Sequence, residues 1–379
     1  MLAEYQCTGC SACVSVCPQG AMKLKLNARG FYRPQVDDDK CIVCGRCVNV
    51  CPVRDDETHQ ALQKAYYGWS KSQEDSMGCS SGAFFYVLAK EILRSGGIVY
   101  GAVFANRYKE VVIGNTDEYS LEDMRLSKYV ASSADGSFCH AKHMLLTGRT
   151  VLYTGSPCQI AGLKKFLGED YGNLYTASFL CGGMPSAGYW SDYLSSLERK
   201  YCSTTKKICF REKDKGWKHM RLKIWMRNGR TYEKNAFLDG FYVGFLNKTT
   251  VDNVCAACPF SVNHWSDIIF GDFWGYASAG IPYRKEGISL IVVNSDKGWE
   301  INRIIEPHMQ LKEIGLNNVQ YAFHPRKPDE QREATRERFF AEALASGFSS
   351  AEKKYIPCDC LSCFRMRGVS LLLKLKRGR

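Results

Sequence analysis

The sequence predicts a multidomain protein of mixed α+β and α/β class: a small cysteine-framed N-terminal module, an α/β core with a β-rich portion, and a helical C-terminal tail. Three observations carry this. One cysteine pattern occurs twice before residue 58; two strand-turn-helix units follow; and an Asn-Gly turn separates two strand-like runs further on. The expected boundaries are 1–58 for the module, 59–148 and 149–327 for two parts of the core, and 328–379 for the tail.

At 379 residues and 45% apolar content the chain can bury real cores without covalent staples. Nineteen cysteines therefore need a chemical reason rather than a structural one. The start, MLAEYQCTGC, lacks the basic and apolar runs of a secretory signal, and no stretch approaches the length of a membrane span. A reducing, cytoplasmic setting is expected, and an odd cysteine total argues against a complete disulfide framework.

The module is read from CTGCSACVSVCP at 7–18 and CIVCGRCVNVCP at 41–52, both CxxCxxCxxxCP at an offset of 34 residues. This is the run of a bacterial-type 2[4Fe-4S] ferredoxin fold, in which three cysteines wrap one cube and the fourth reaches the other. Cys7, Cys10, Cys13 and Cys51 are thus expected to hold one [4Fe-4S] cluster, and Cys41, Cys44, Cys47 and Cys17 the second. Zinc prefers two separated knuckles and has no use for eight thiols in two like runs. Anionic clusters would cancel part of the formal +12 charge. The basic residues are scattered without an aromatic-flanked stripe, so nucleic acid is not an expected partner.

After a polar break at Asp55–Thr58, residues 76–104 read as a loop of small residues, a helix over about 83–94, a stop at Gly96 and Gly97, and a strand. TVLYTG at 150–155 is a buried strand, turning at Pro157 into a helix ended by Gly168. LYTASFLCGG is a further strand, running into Cys181, and a helix covers about 186–200. The β-rich portion includes KKICFRE, a hairpin turning at Asn228 and Gly229, and DIIFGDFWG; a charged helix runs from near Pro328 to Ala345.

The loop Gly78, Cys79, Ser80, Ser81, Gly82 has the small residues of an anion site at a helix start, and equally those of an ordinary serine cap. Cys158, Cys181, Cys255 and Cys258 are enough for a third [4Fe-4S] cluster, with a redox thiol at Cys158 or a four-thiolate zinc site as alternatives. Cys139, Cys202 and Cys209 are read as buried packing residues.

Together these residues resemble the coenzyme F420 hydrogenase/dehydrogenase beta-subunit family. The matching motifs are the two ferredoxin runs, GCSSGAF at 78–84, LSKYVASS at 126–133, VLYTGSPCQIAGLKKFL at 151–167, FLCGG at 179–183, FREKDKGWK at 210–218, and CAACPF leading to DIIFGDFWG at 255–275. The resemblance spans nearly all of residues 1–330 and implies a flavin-binding core that carries FAD beside the clusters. Carried over by motif, Gly78, Ser80, Ser81, Gly82, Ser127, Lys128, Tyr129, Thr154 and Gly155 are candidate FAD contacts, and Cys158, Cys181, Cys255 and Cys258 are favoured as ligands of a third cluster. Lys128 and Asp272 are the candidate catalytic residues. Against these stand bland readings: a solvated lysine, and an aspartate that caps a turn while Trp274 packs. Ala83 stands where relatives often show a second glycine.

The expected function is an iron-sulfur flavoprotein oxidoreductase, in which clusters relay single electrons to or from FAD, and FAD exchanges a hydride with a soluble carrier like coenzyme F420 or an organic substrate. The alternative is a non-catalytic electron-transfer subunit feeding a partner enzyme. Either requires a redox partner protein or soluble electron carrier. The C-terminal Cys358, Cys360 and Cys363 lie outside the resemblance and read as a loose tail, whose basic end could rest on an anionic membrane surface without anchoring there.

Overall fold

A computed structural model describes residues 6–55, 62–262, 264–323 and 326–356. The expectations for Cys358, Cys360, Cys363 and the basic C-terminus lie outside the described residues. In the N-terminal module, helices α1 (Ala12–Ser15) and α2 (Arg46–Asn49) flank a hairpin of β1 (Met22–Leu26) and β2 (Tyr32–Val36). The sequence duplication is visible in the backbone. Ser11 and Gly45, equivalent under the 34-residue offset, both open their helix in the left-handed region, at φ 77° and 74°.

The core begins with β3 (Lys64–Ser70), α3 (Gln73–Met77), α4 (Phe84–Arg94), β4 (Ile98–Ala105), β5 (Glu110–Asn115), α5 (Leu121–Met124), β6 (Ser132–Ser133) and α6 (Ser137–Leu146). Next come β7 (Val151–Gly155), α7 (Pro157–Leu167), β8 (Leu174–Phe179) and α8 (Ala187–Tyr201). A three-stranded antiparallel sheet of β9 (Thr205–Cys209), β10 (Arg221–Met226) and β11 (Thr231–Asn235) precedes α9 (Gly240–Leu246). Last are β12 (Ile268–Asp272), β13 (Ser289–Val293), α10 (Asp296–Ile305), β14 (Met309–Ile314), α11 (Glu330–Ser346) and α12 (Phe348–Tyr355).

Nine strands form one mixed sheet in the order β14-β3-β13-β12-β8-β7-β4-β5-β6. Its centre, β12-β8-β7-β4, is parallel, and β7 is buried at all five positions, as a strand covered on both faces must be. The sheet runs continuously across residue 148. It also takes in β12, which the sequence reading grouped with the β-rich portion. The antiparallel partners β3, β13 and β14 come from distant parts of the chain.

Local chemistry explains the key helix, α7. Pro157 sits in its first turn, Ser156 and Gln159 form a reciprocal capping box, and Gly168 ends it at φ 75°. Because β7, β8 and β12 are parallel, their C-terminal ends open on one sheet edge, where α/β proteins place ligands.

The module packs directly on the core. Cys10, Ala12 and Val50 share an apolar cluster with Phe138, Ile160 and Leu163. A methyl group at Gly162 of α7 would lie 3.0 Å from Cys10 Sγ, so glycine permits this approach. Gly30, at φ 76°, accepts a bond from the Gly188 amide at 3.1 Å, and Arg33 pairs with Asp252 at 2.8 Å in a buried contact.

Two expectations about cysteines are corrected. Cys139 and Cys202 are exposed and only Cys209 is buried. On α6 the buried face is formed by Phe138, Ala141 and Leu145, and the helical period turns Cys139 outward; Cys202 closes α8 in the left-handed region.

Candidate functional site

All sixteen described cysteines are free thiols. Cys7, Cys10, Cys13 and Cys51 line one small cavity, the grouping expected from the crossed ferredoxin pattern. The Gly9 amide points at Cys7 Sγ at 3.4 Å. Burial pushes the Cys10 thiol up to about 12, and the neighbouring Cys7 and Cys51 charges add to this. Thiolates in such surroundings need a bound cation to exist, and a thiol-only donor set suits iron. Of the second set, Cys41 and Cys44 are exposed while Cys17 and Cys47 are half-buried, at the solvent side of the module.

The four remaining candidate ligands also converge. Cys158 lies in the first turn of α7, Cys181 two residues beyond β8, and Cys255 and Cys258 on a short turn after α9. Together they line a cavity of about 140 Å³, with Thr8, Met184 and His264. Burial first, then the charge of Cys258, raises the Cys158 thiol, and Cys181 and Cys10 contribute. The Gly183 amide reaches Cys181 Sγ at 3.4 Å. His264 is 4% exposed, and among the described residues neither ring nitrogen has a hydrogen-bond partner; the Ser261 carbonyl acts on the ring without reaching bonding geometry. Among the described residues no three such side chains are placed to hold a single ion. Sulfurs around one zinc would all sit about 2.3 Å from a common point. Here four thiols line one cavity, with the unpartnered imidazole nitrogens of His264 in its wall.

A larger cavity of about 230 Å³ opens beside this one at the C-terminal ends of β7, β8 and β12. Seven of the candidate FAD contacts line it: Ser80, Ser81, Ser127, Lys128, Tyr129, Thr154 and Gly155, together with Asp272 and the rings of Phe85, Phe245 and Phe270. Gly78 and Gly82 do not. A Cβ at Gly82 would meet the Gly68 carbonyl at 2.3 Å, and one at Gly78 the Arg125 guanidinium at 1.9 Å, so both glycines serve close packing behind the cavity wall. Ser80 Oγ accepts from the Ser127 amide at 2.7 Å, tying two motifs far apart in sequence. Ala83 holds φ 73°, a conformation glycine adopts without cost.

Lys128 is not solvated. Its ammonium donates to the carbonyls of Arg125 at 3.0 Å and Leu126 at 3.4 Å, and desolvation lowers its pKa to about 7. Asp272 is fully engaged: Arg211 donates to it at 2.5 and 3.2 Å, and the Trp217 indole at 2.8 Å. These bonds tie Asp272 to Arg211 and Trp217 at the cavity wall. Trp274 stacks on Trp217 at 4.6 Å with the planes 2° apart.

Sequence reasoning missed Arg211 and Lys213, although FREKDKGWK was quoted. Arg211, fully buried, also donates to the Tyr129 hydroxyl and the Ser80 carbonyl, joining three candidate positions. Lys213 donates to the carbonyls of Ser76, Ser81 and Glu286 and fixes the small-residue loop. The available signal was the alternating charged run Arg211-Glu212-Lys213-Asp214 directly after a strand.

Comparison with known proteins places this geometry. Residues 6–54 match the 4Fe-4S dicluster domain, and residues 148–316 match the C terminus of the coenzyme F420 hydrogenase/dehydrogenase beta subunit. The chain belongs to the coenzyme F420 hydrogenase/dehydrogenase beta-subunit family. Members of this family are oxidoreductase subunits, and the dicluster domain makes the present member an iron-sulfur protein. No curated protein matches it. Among solved structures, a chain of the xenon-derivatised F420-reducing [NiFe] hydrogenase complex from Methanosarcina barkeri is 15% identical at a TM-score of 0.43, over 75% of this chain and 94% of that one. Among its described residues, this family member has no helix long and apolar enough to cross a membrane.

Proposed function

We propose that the chain is an iron-sulfur flavoprotein oxidoreductase with three [4Fe-4S] clusters in line with FAD. The observation that carries this reading is the sharing of walls between successive cavities. Thr8 borders both the Cys7/Cys10/Cys13/Cys51 cavity and the Cys158/Cys181/Cys255/Cys258 cavity, and Leu180 and Met184 border both the latter and the large cavity. Electrons at the Cys7/Cys10/Cys13/Cys51 cavity thus have a path of shared walls to the large cavity.

FAD, when bound, supplies the exchange between single electrons and a hydride. The residues hold it: Ser80, Ser127 and Thr154 offer polar contacts, Phe85 and Phe270 cover its apolar surface, and Lys128 presents a cation to reduced-flavin charge or a phosphate. The family supports a soluble carrier of the coenzyme F420 type as hydride partner, and the exposed end of the module suits a redox partner protein.

The test is anaerobic purification with iron and flavin counted per chain. About twelve irons and one flavin are expected, and Cys158→Ala should remove about four irons. An unchanged iron count in that variant would overturn the third cluster, and flavin-free active protein would overturn the role of FAD.

A further inference from the structure

Two cations stand at the Cys158/Cys181/Cys255/Cys258 site, Arg326 on the cavity wall and Lys248 bonded to the loop that carries Cys181. Arg326 donates to the Cys255 carbonyl at 3.1 Å and to the Cys181 carbonyl, spanning two ligand loops. Lys248 donates to the Gly182 carbonyl at 2.7 Å and lies over the Phe245 ring at 4.6 Å. Among the described residues neither cation has a carboxylate within ion-pair distance. The one carboxylate on the cavity wall, Asp252, is bound to Arg33.

Desolvation by burial, and then the like charge of Arg326, push the Lys248 ammonium down from its ordinary range. Its backbone adds to the cost. Lys248 follows α9 at φ 65°, where helices usually employ glycine or asparagine. An arrangement with uncompensated cations, against the local backbone preference, beside four thiols, calls for an anionic occupant. A cluster with four thiolates is anionic and becomes more so on reduction.

We infer that Lys248 and Arg326 are the counter-charges that set the reduction potential of the third cluster. The inference rests on the three-cluster reading above. Both cations favour the reduced, more negative cluster, and so raise its potential against the opposing effect of burial. They act through the field and through the ligand carbonyls, which makes them tuning rather than catalytic residues.

The experiment is a potentiometric titration followed by electron paramagnetic resonance on the anaerobically purified full chain, with Cys158→Ala used to identify the third cluster's signal by its loss. Lys248→Met and Arg326→Gln should each shift that midpoint to lower potential with iron content unchanged and the two ferredoxin midpoints unmoved. Arg326→Lys, which keeps the charge, should stay near the parent. The inference is overturned if the double variant keeps the parental midpoint. It is equally overturned if Arg326→Lys shifts as far as Arg326→Gln, or if the variants lose about four irons, since the residues would then be clamps for the ligand loops. An unchanged iron count in Cys158→Ala would instead remove the three-cluster reading itself, so the two failures are distinguishable.

Discussion

The salt bridge between Arg211 and Asp272 decides how the large cavity is read. Arg211 is 1% exposed in its side chain and Asp272 15%, and the guanidinium joins Asp272, Tyr129 and Ser80 in one fan of bonds. Removing one partner of such a buried pair strands the other charge, at a cost of about 3–5 kcal/mol. Asp272→Ala should therefore lower the unfolding free energy by an amount of that order and reduce flavin retention together. Parental stability with abolished turnover would instead give Asp272 a direct part in proton transfer. Asp272 was legible as a site residue because it stands at a strand end, but its partner was not: nothing in spacing tells that Arg211, 61 positions earlier, folds against it. Likewise the exposure of Cys139 depends on which face of α6 meets the core, a long-range fact.

At the level of elements, α7 joins the module to the core. Its N-terminal turn carries Cys158, and one turn later Gly162 lets Cys10 approach. Gly162→Val would drive a side chain into Cys10 and move the module outward. Iron content should stay at the parental value while the rate at which electrons pass from the ferredoxin clusters to the flavin falls, as followed by rapid-mixing spectroscopy; an unchanged rate would mean that electrons take another path. The helix itself was readable from Pro157, Gln159 and Gly168, as was the Asn228-Gly229 hairpin, since caps and tight turns are local chemistry. The sheet was not. β3, β13 and β14 pair across more than two hundred residues of sequence, and β12, read as a strand of the β-rich portion, pairs in parallel with β8.

For the molecule as a whole, the cysteine sets differ in exposure: Cys41 and Cys44 lie at the surface, whereas Cys7, Cys13, Cys51, Cys158, Cys181, Cys255 and Cys258 are half-buried and Cys10 is buried. Under the proposed function, this exposure suits the Cys41/Cys44/Cys47/Cys17 set to exchange with other proteins. Cys44→Ala should abolish electron uptake from a protein donor while leaving the flavin open to a soluble carrier; equal donor rates in parent and variant would refute that role. The placement of Gly162 four residues after Cys158 has one more consequence. At a rise of about 1.5 Å per residue, the two positions lie about 6 Å apart along the axis of a single rigid rod. Tunnelling decays steeply with separation, and under the proposed three-cluster reading a ruler of covalent and hydrogen-bonded geometry would set the gap between inner and middle clusters. Warming or a distant mutation can alter the driving force for that hop, yet the hop length itself persists for as long as this one helix survives.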